Sequence, residues 1–335
     1  MQNTNLYMKI DINKISDTWK KISSETNSPG KYSRNIFIDC KILIRASVIN
    51  QTNTRCVEFI FDKNILNKKK ISFKETKGIK VDVEKEDNYE DKLILCIYLK
   101  SSAFIDTYLK LLEKIITAIY TIENHESSLH KIITYLSSWR KCFEDEHYDG
   151  LSKEEQIGLY GELSFIKEIY SKQISPEKII NYWHGPEGGL HDFKFSDYLV
   201  EIKTFSKNKN KIRISNVDQL NYKFFTNLYL GCVEIENNNS GLTLVNLIDD
   251  LKNSIFKENH IQEQFNEKLS LYGYLEIHKD NYTNKFLVSN INYYKVKEGF
   301  PSILKKDLVE GITDIYYAIE LTNCEKFKCS GDFIS

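Results

Sequence analysis

Hydrophobic and polar positions divide the chain into short alternating runs followed by runs of helical period. NIFIDCKILIRASVIN (35–50), CVEFIF (56–61), KISFKETKGIKVDVE (70–84) and KLILCIYL (92–99) are rich in β-branched and aromatic residues and bounded by polar clusters, which predicts strands. In FIDTYLKLLEKIITAIYT (104–121), Ile105, Leu109, Leu112, Ile116 and Ile119 recur at three- and four-residue steps, the period of a helix. SSLHKIITYLSSWRKCF (127–143) predicts a second helix. The polar stretch EDEHYDGLSKEE (144–155) then interrupts the pattern, and Ser152 followed by Glu155 is a capping-box signature that opens a new helix. The chain thus reads as two domains: a sheet and helix pair over 1–148, and a second domain over 149–335.

The second half predicts a helix at 153–171, a short strand at 178–183, the loop HGPEGG and a hairpin in HDFKFSDYLVEIKT (191–204). A basic loop, KNKNKIR, leads to the strand IRIS and a helix around 216–225. LYLGCVEIE (228–236) predicts a strand, ENNNS (236–240) a loop, and 243–270 an amphipathic helix or helix pair. Strands are expected at 272–278, 285–295 and 314–321. Strands mixed with helices make the fold class α/β, α+β overall.

Composition narrows the function. With 335 residues, 41% hydrophobic and 28% charged, the chain is an ordinary globular protein with enough length for two cores. A net charge of −1 excludes a global basic field, so any nucleic-acid contact must come from a local patch. Cys40, Cys56, Cys96, Cys142, Cys232, Cys324 and Cys329 are odd in number, widely spaced and without a CxxC pair, which argues for reduced thiols over a disulfide framework or zinc ribbon. The start, MQNTNLYMKIDINKISDTWKK, lacks the apolar stretch of a signal peptide. No apolar run approaches the ~20 residues of a membrane span, so a cytoplasmic protein is expected. GPEGG lacks the Gly-Lys-Ser/Thr end of a phosphate loop; it is read as a turn or as a point of close approach by a nucleic-acid backbone. His184 and His191 flank it at no zinc spacing, and no Gly-x-Ser-x-Gly or Cys/His pair supports nucleophilic catalysis.

The informative chemistry lies in the hairpin. If Ser196-Asp197 forms a two-residue turn, residue 195 pairs with 198, and Asp192 falls opposite Glu201. Directly opposed side chains share a face, and like charges there repel unless a hard cation lies between them. Strand alternation puts Lys203 on the face of Glu201 and turns Val200 and Ile202 into a core. On the preceding helix Leu159, Leu163, Ile166 and Tyr170 form an apolar stripe, and Glu162 lies on it. A carboxylate entering a buried face needs a partner or a metal. Gly158 and Gly161 weaken the same helix unless it packs closely on a sheet or backbone.

At GLYGELSFI with Glu162, HDF with Asp192, VEIKT with Glu201 and Lys203, and RISNVDQL with Gln219, the chain resembles the PD-(D/E)XK nuclease superfamily, and within it a bacterial PD-(D/E)XK family of unassigned activity. The superfamily motifs cover roughly 153–236; the closer family resemblance runs over most of the chain. His191 stands where the motif has proline, and Gln219 is followed by Tyr222 rather than by the wider spacing of one nuclease branch. The resemblance implies a restriction-endonuclease-like core of order αβββαβ and metal-dependent phosphodiester cleavage. In that expectation Asp192, Glu201 and the Ile202 carbonyl hold Mg²⁺ or Mn²⁺, Lys203 orients the attacking water, and Glu162 tunes the site or binds a second ion. Gln219, His191 and the alternating Lys207, Lys209, Lys211 and Arg213 are candidate contacts to DNA. The resemblance further implies a restriction or phage-defence system with methyltransferase or ATPase partners, and cleavage of both strands would favour a homodimer. The alternative is a nuclease-fold subunit that binds or scaffolds DNA without cutting it.

Overall fold

The computed structural model describes residues 10–68, 73–85, 90–207, 209–225, 227–312 and 315–334. The chain divides into two compact units, Met1–Asp149 and Gly150–Ser335.

The first unit contains α1 (Asn13–Glu25), β1 (Lys31–Ile36), β2 (Leu43–Ile49), β3 (Thr54–Asp62), α2 (Lys63–Lys68), β4 (Ile79–Lys85), β5 (Lys92–Leu99), α3 (Ile105–Ile119), α4 (His125–Ser138) and α5 (Arg140–Glu144). Its strands form an antiparallel sheet in the order β1-β2-β3-β5-β4. Helices cover one face. The Trp19 indole of α1 donates to the Cys56 carbonyl at 3.2 Å, and Tyr108 of α3 donates to the Ile97 carbonyl and accepts from the Val57 N–H. The run 35–50 is two strands rather than one. A turn closed by the Cys40 N–H on the Phe37 carbonyl, with Phe37 at φ +49°, folds the chain back so that Ile36 pairs with Ile44. Of the strand expected over 70–84, residues 70–72 lie outside the described residues, and β4 begins at Ile79.

The second unit contains α6 (Lys153–Ser171), α7 (Pro176–Tyr182), β6 (Phe193–Lys194), β7 (Leu199–Ser206), β8 (Lys211–Ile214), β9 (Leu228–Thr243), α8 (Leu244–Ser254), α9 (Asn259–Tyr272), β10 (Lys285–Val296), β11 (Tyr317–Glu320) and β12 (Lys328–Cys329). Helix α6 starts where the Ser152–Glu155 capping box places it: Ser152 Oγ accepts from the Glu155 N–H, and the Glu155 carboxylate accepts from the Ser152 N–H at 2.8 Å. The main sheet is mixed, in the order β12-β10-β9-β7-β6, with β7 and β9 parallel and the other pairs antiparallel. Val200 and Ile202 of β7 point into a core with Leu159, Leu163 and Ile166 of α6. Phe205, Leu230 and Cys232 belong to a second core, with Ile212, Ile214 and Ile319 of the small β8–β11 sheet.

Several sequence expectations change here, each for a local reason. Residues 178–182 are helical rather than extended, because Ser175-Pro176 starts α7 with proline in its first turn, where its missing N–H costs nothing, and Trp183 alone is extended, bridging antiparallel to Phe193. The third strand, IRIS, leaves the main sheet to pair with β11, and the helix expected at 216–225 shrinks to a 3₁₀ turn over Val217–Leu220 capped by Asn216. ENNNS is not simply a loop. Pairing continues through Asn237 with Phe286 and resumes at Thr243 with Lys285, so residues 238–242 bulge out within β9. No strand covers 272–278: α9 runs to Tyr272, Gly273 ends it at φ +106°, and a 3₁₀ turn follows from Glu276. Of the strand expected at 314–321, residue 314 lies outside the described residues and β11 spans Tyr317–Glu320. On α6, Ile169 rather than Tyr170 completes the buried stripe, Tyr170 being 41% exposed.

Candidate active site

The β6–β7 hairpin sets the site. Phe193 pairs with Val200 and Lys194 with Leu199, and the Phe195 N–H reaches the Tyr198 carbonyl at 3.0 Å, which is the register of a turn at Ser196-Asp197. Extended by one pair, it brings Asp192 to Glu201. Asp192 Oδ2 accepts from the Ile202 N–H at 2.7 Å, so the backbone of β7 fixes this carboxylate. Asp192 is also held through its own carbonyl, which accepts from the N–H groups of His184 (2.7 Å) and Gly185 (3.0 Å). The HGPEGG loop therefore closes on the residue it precedes.

Glu201 and Lys203 lie on the same face of β7. Lys203 Nζ donates to Glu201 Oε1 at 2.5 Å, the Glu201 side chain being 1% and that of Lys203 17% exposed. The other oxygen, Glu201 Oε2, is buried with no hydrogen-bond partner. Glu162 is buried on α6 and accepts the Trp183 indole N–H at 2.7 Å through Oε2. It meets Asp192 across Gly185: a Cβ there would lie 2.6 Å from Glu162 Oε2 and 3.1 Å from Asp192 Oδ1. Gly185 thus makes room for the protein's own carboxylates, a different use from the nucleic-acid approach expected of this loop. Gly161 serves the same end, because a Cβ would lie 1.7 Å from Thr204 Oγ1; only glycine lets α6 sit this close to β7.

The electrostatics follow from burial. Burial, the negative charge of Glu201 and the opposing pull of Lys203 leave the Asp192 carboxyl pushed up from 3.8 to about 7. Burial raises Glu162 well above the usual carboxylate range, and Asp192 and Glu201 add to the shift. Burial raises Glu201 as well, against the pull of Lys203. Burial alone would lower Lys203, but Glu201, Asp192 and Glu162 hold it above its ordinary value. Three carboxyl groups around one ammonium leave a surplus of negative charge when all are ionised.

A divalent cation fits this donor set. Two carboxylates aided by water oxygens suit Mg²⁺, the partnerless Glu201 Oε2 offers a ready ligand atom, and the surplus charge matches the ion. The described residues bring three His, Cys, Asp or Glu ligand atoms within 4.8 Å of one another only elsewhere, at Cys56, Glu58 and Cys96 and at Glu177, Glu258 and His260. The pocket acids are more widely spread, as befits an ion bound through one or two side chains.

His191 is buried, its Nε2 3.0 Å from the Gln219 carbonyl and its ring edge-on to Phe225, so it ties the hairpin to the 3₁₀ turn. Gln219 Oε1 accepts from the Ser215 N–H and Oγ, both at 3.3 Å. Lys207, Lys209, Lys211 and Arg213 are exposed, but Lys207 pairs with Glu236 at 3.2 Å and Lys211 with Glu320 at 3.0 Å. The basic run is therefore partly neutralised by acids distant in sequence.

Two supporting residues escaped sequence reasoning. Trp183 is fully buried and orients Glu162. Lys268 of α9 is buried, donates to the Trp183 carbonyl and pairs with Glu187 at 2.9 Å. The signal for Lys268 was present: it falls on the stripe Ile261, Phe265, Leu269, where a cation needs a buried partner.

The family model described as "Putative PD-(D/E)XK family member, (DUF4420)" matches residues 15–322. No curated protein and no solved structure matches the chain.

Proposed function

From the premise that the chain belongs to this PD-(D/E)XK family, we propose that its second unit is a metal-dependent endonuclease that hydrolyses phosphodiester bonds in DNA. The observation that carries the reading is the pocket of Asp192, Glu201 and Glu162 around Lys203, with Glu201 Oε2 left without a partner. In this reading Asp192 and Glu201, with the Ile202 carbonyl, hold Mg²⁺ or Mn²⁺. The bound cation supplies Lewis-acid stabilisation of charge on the phosphate and acidifies the attacking water. Lys203, beside Glu201 on the same face of β7, would orient the water and stabilise charge on the phosphate oxygens. Glu162, fixed by Trp183, shapes the pocket beside Asp192. In this reading α6, β6, β7 and β9 stand for elements of the αβββαβ core, with β8 outside the main sheet and a 3₁₀ turn where the second helix is expected. Gln219, His191, Lys207, Lys209, Lys211 and Arg213 are the candidate DNA contacts. A restriction or phage-defence setting, with methyltransferase or ATPase partners, belongs to the same proposal and rests on the family resemblance.

Purified protein should nick supercoiled plasmid in Mg²⁺ or Mn²⁺ and lose at least ~10²-fold of that rate in Asp192→Asn and in Lys203→Ala. Lys203→Ala should retain cation binding, because the carboxylates remain. Equal rates in wild type and both variants would defeat the enzyme reading. Metal-independent DNA binding without cleavage would favour the scaffolding subunit.

A further inference from the structure

The first unit's sheet brings together a group that no local spacing announces. In the β3–β5 register Cys56 pairs with Tyr98 and Glu58 with Cys96, so alternation puts all four on one face, opposite the face that α1 and α3 cover. One ligand atom from each of Cys56, Glu58 and Cys96 lies within 4.8 Å of the others, and all three residues are at most 1% exposed.

This face is concave. Lys31 stands on edge strand β1 and Glu84 on the opposite edge strand β4, yet their side chains meet at 2.8 Å. Five strands about 4.8 Å apart would hold the edges of a flat sheet about 19 Å apart, so the sheet is strongly curled. Lys31 closes the cup. Its ammonium contacts Glu58 Oε1 at 2.7 Å, donates to the Tyr98 hydroxyl at 3.1 Å and lies 3.6 Å from Cys96 Sγ, while Tyr98 donates to Glu84. One ammonium serves two carboxylates, and Glu58 Oε2 is buried with no partner. A buried carboxylate oxygen left unpaired is costly, and a carboxylate oxygen of Glu58 lies within 4.8 Å of both thiol sulfurs.

We propose that this cup is a metal site, taking a thiophilic divalent cation of the Zn²⁺ class between Cys56, Cys96 and Glu58. Two sulfur donors and one carboxylate select a soft or borderline ion over Mg²⁺. On binding, the two thiols give up their protons to solvent, and two thiolates and a carboxylate surround the cation. The cation takes over the carboxylate that Lys31 neutralises, and Lys31, whose side chain is already 26% exposed at the rim, swings outward into solvent. Glu84 or a water completes four-coordination. The site owes nothing to the proposed nuclease chemistry.

The test is Co²⁺ titration of the chelator-stripped full chain, followed by absorption. Wild type should develop a sulfur-to-cobalt charge-transfer band with the visible bands of a tetrahedral ion, and should retain Zn²⁺ through dialysis. Cys56→Ala and Cys96→Ala should lose the band, and Asp192→Asn should keep it. Lys31→Met removes the competing cation and should tighten Zn²⁺ binding roughly tenfold or more. This variant decides the matter if either cysteine variant does not fold. Absence of a thiolate band in both wild type and Lys31→Met, or a band undiminished in folded cysteine variants, overturns the proposal.

Discussion

Asp192 is an acid whose folded environment favours its protonated form, and the sign of that preference has consequences. Its carboxyl is raised from 3.8 to about 7, so the metal-free fold binds this proton more tightly than the unfolded chain does. The stability gained is fully present below the unfolded value and is lost as pH rises toward about 7. Glu162 and Glu201 are raised too and act in the same direction, whereas Lys203 keeps its proton across this window. A cation that requires ionised carboxylates therefore competes with protons. The melting temperature of chelator-treated protein should fall between roughly pH 5 and pH 8, and the rise produced by Mg²⁺ or Mn²⁺ should grow over the same range. A cation-induced rise that is flat with pH would show that these acids do not take up the ion together. In Asp192→Asn both slopes should be shallower.

At the scale of elements, the site depends on how closely α6 approaches β7. Gly161 has no room for a Cβ against Thr204, so Gly161→Ala should destabilise the second unit by about 1–3 kcal/mol, measured by urea unfolding. Gly158 is the internal control. A Cβ there meets only the Tyr272 hydroxyl, at 2.8 Å on the end of a side chain that can shift, and alanine gains about 1 kcal/mol of helix propensity. Gly158→Ala should leave stability within about 1 kcal/mol of wild type. Equal effects at the two positions would contradict the close packing of α6 on β7. These elements also mark what could be read in advance. The start of α6 was legible because a capping box is local, and the Asp192–Glu201 register was legible because a two-residue turn fixes pairing arithmetically. The helix at Pro176–Tyr182 was not, because KIINYW is too short for its period to separate helix from strand. The departure of β8 from the main sheet was hidden too, since its partner β11 lies some hundred residues later. The Cys56–Glu58–Cys96 group has the same character: strand register, not sequence spacing, assembles it.

The whole molecule couples two units of unlike design under one family match that runs from 15 to 322. The first is an antiparallel sheet backed by helices, and the second a mixed sheet with the acid pocket at its β6–β7 edge. No described helix is long and apolar enough to cross a membrane. The molecule has three tryptophans, Trp19 and Trp139 in the first unit and Trp183 in the second. Among the described residues, Trp183 is the tryptophan that hydrogen-bonds a carboxylate of the pocket, and its ring is shut away from water. The energy of an indole excited state responds to the charge beside it, so the fold has wired an optical probe into the pocket. Adding Mg²⁺ to the intact chain should shift its tryptophan emission, and Trp183→Phe should abolish the shift while the signals of Trp19 and Trp139 persist. Cation occupancy can then be followed by light alone, before any nucleic acid is added.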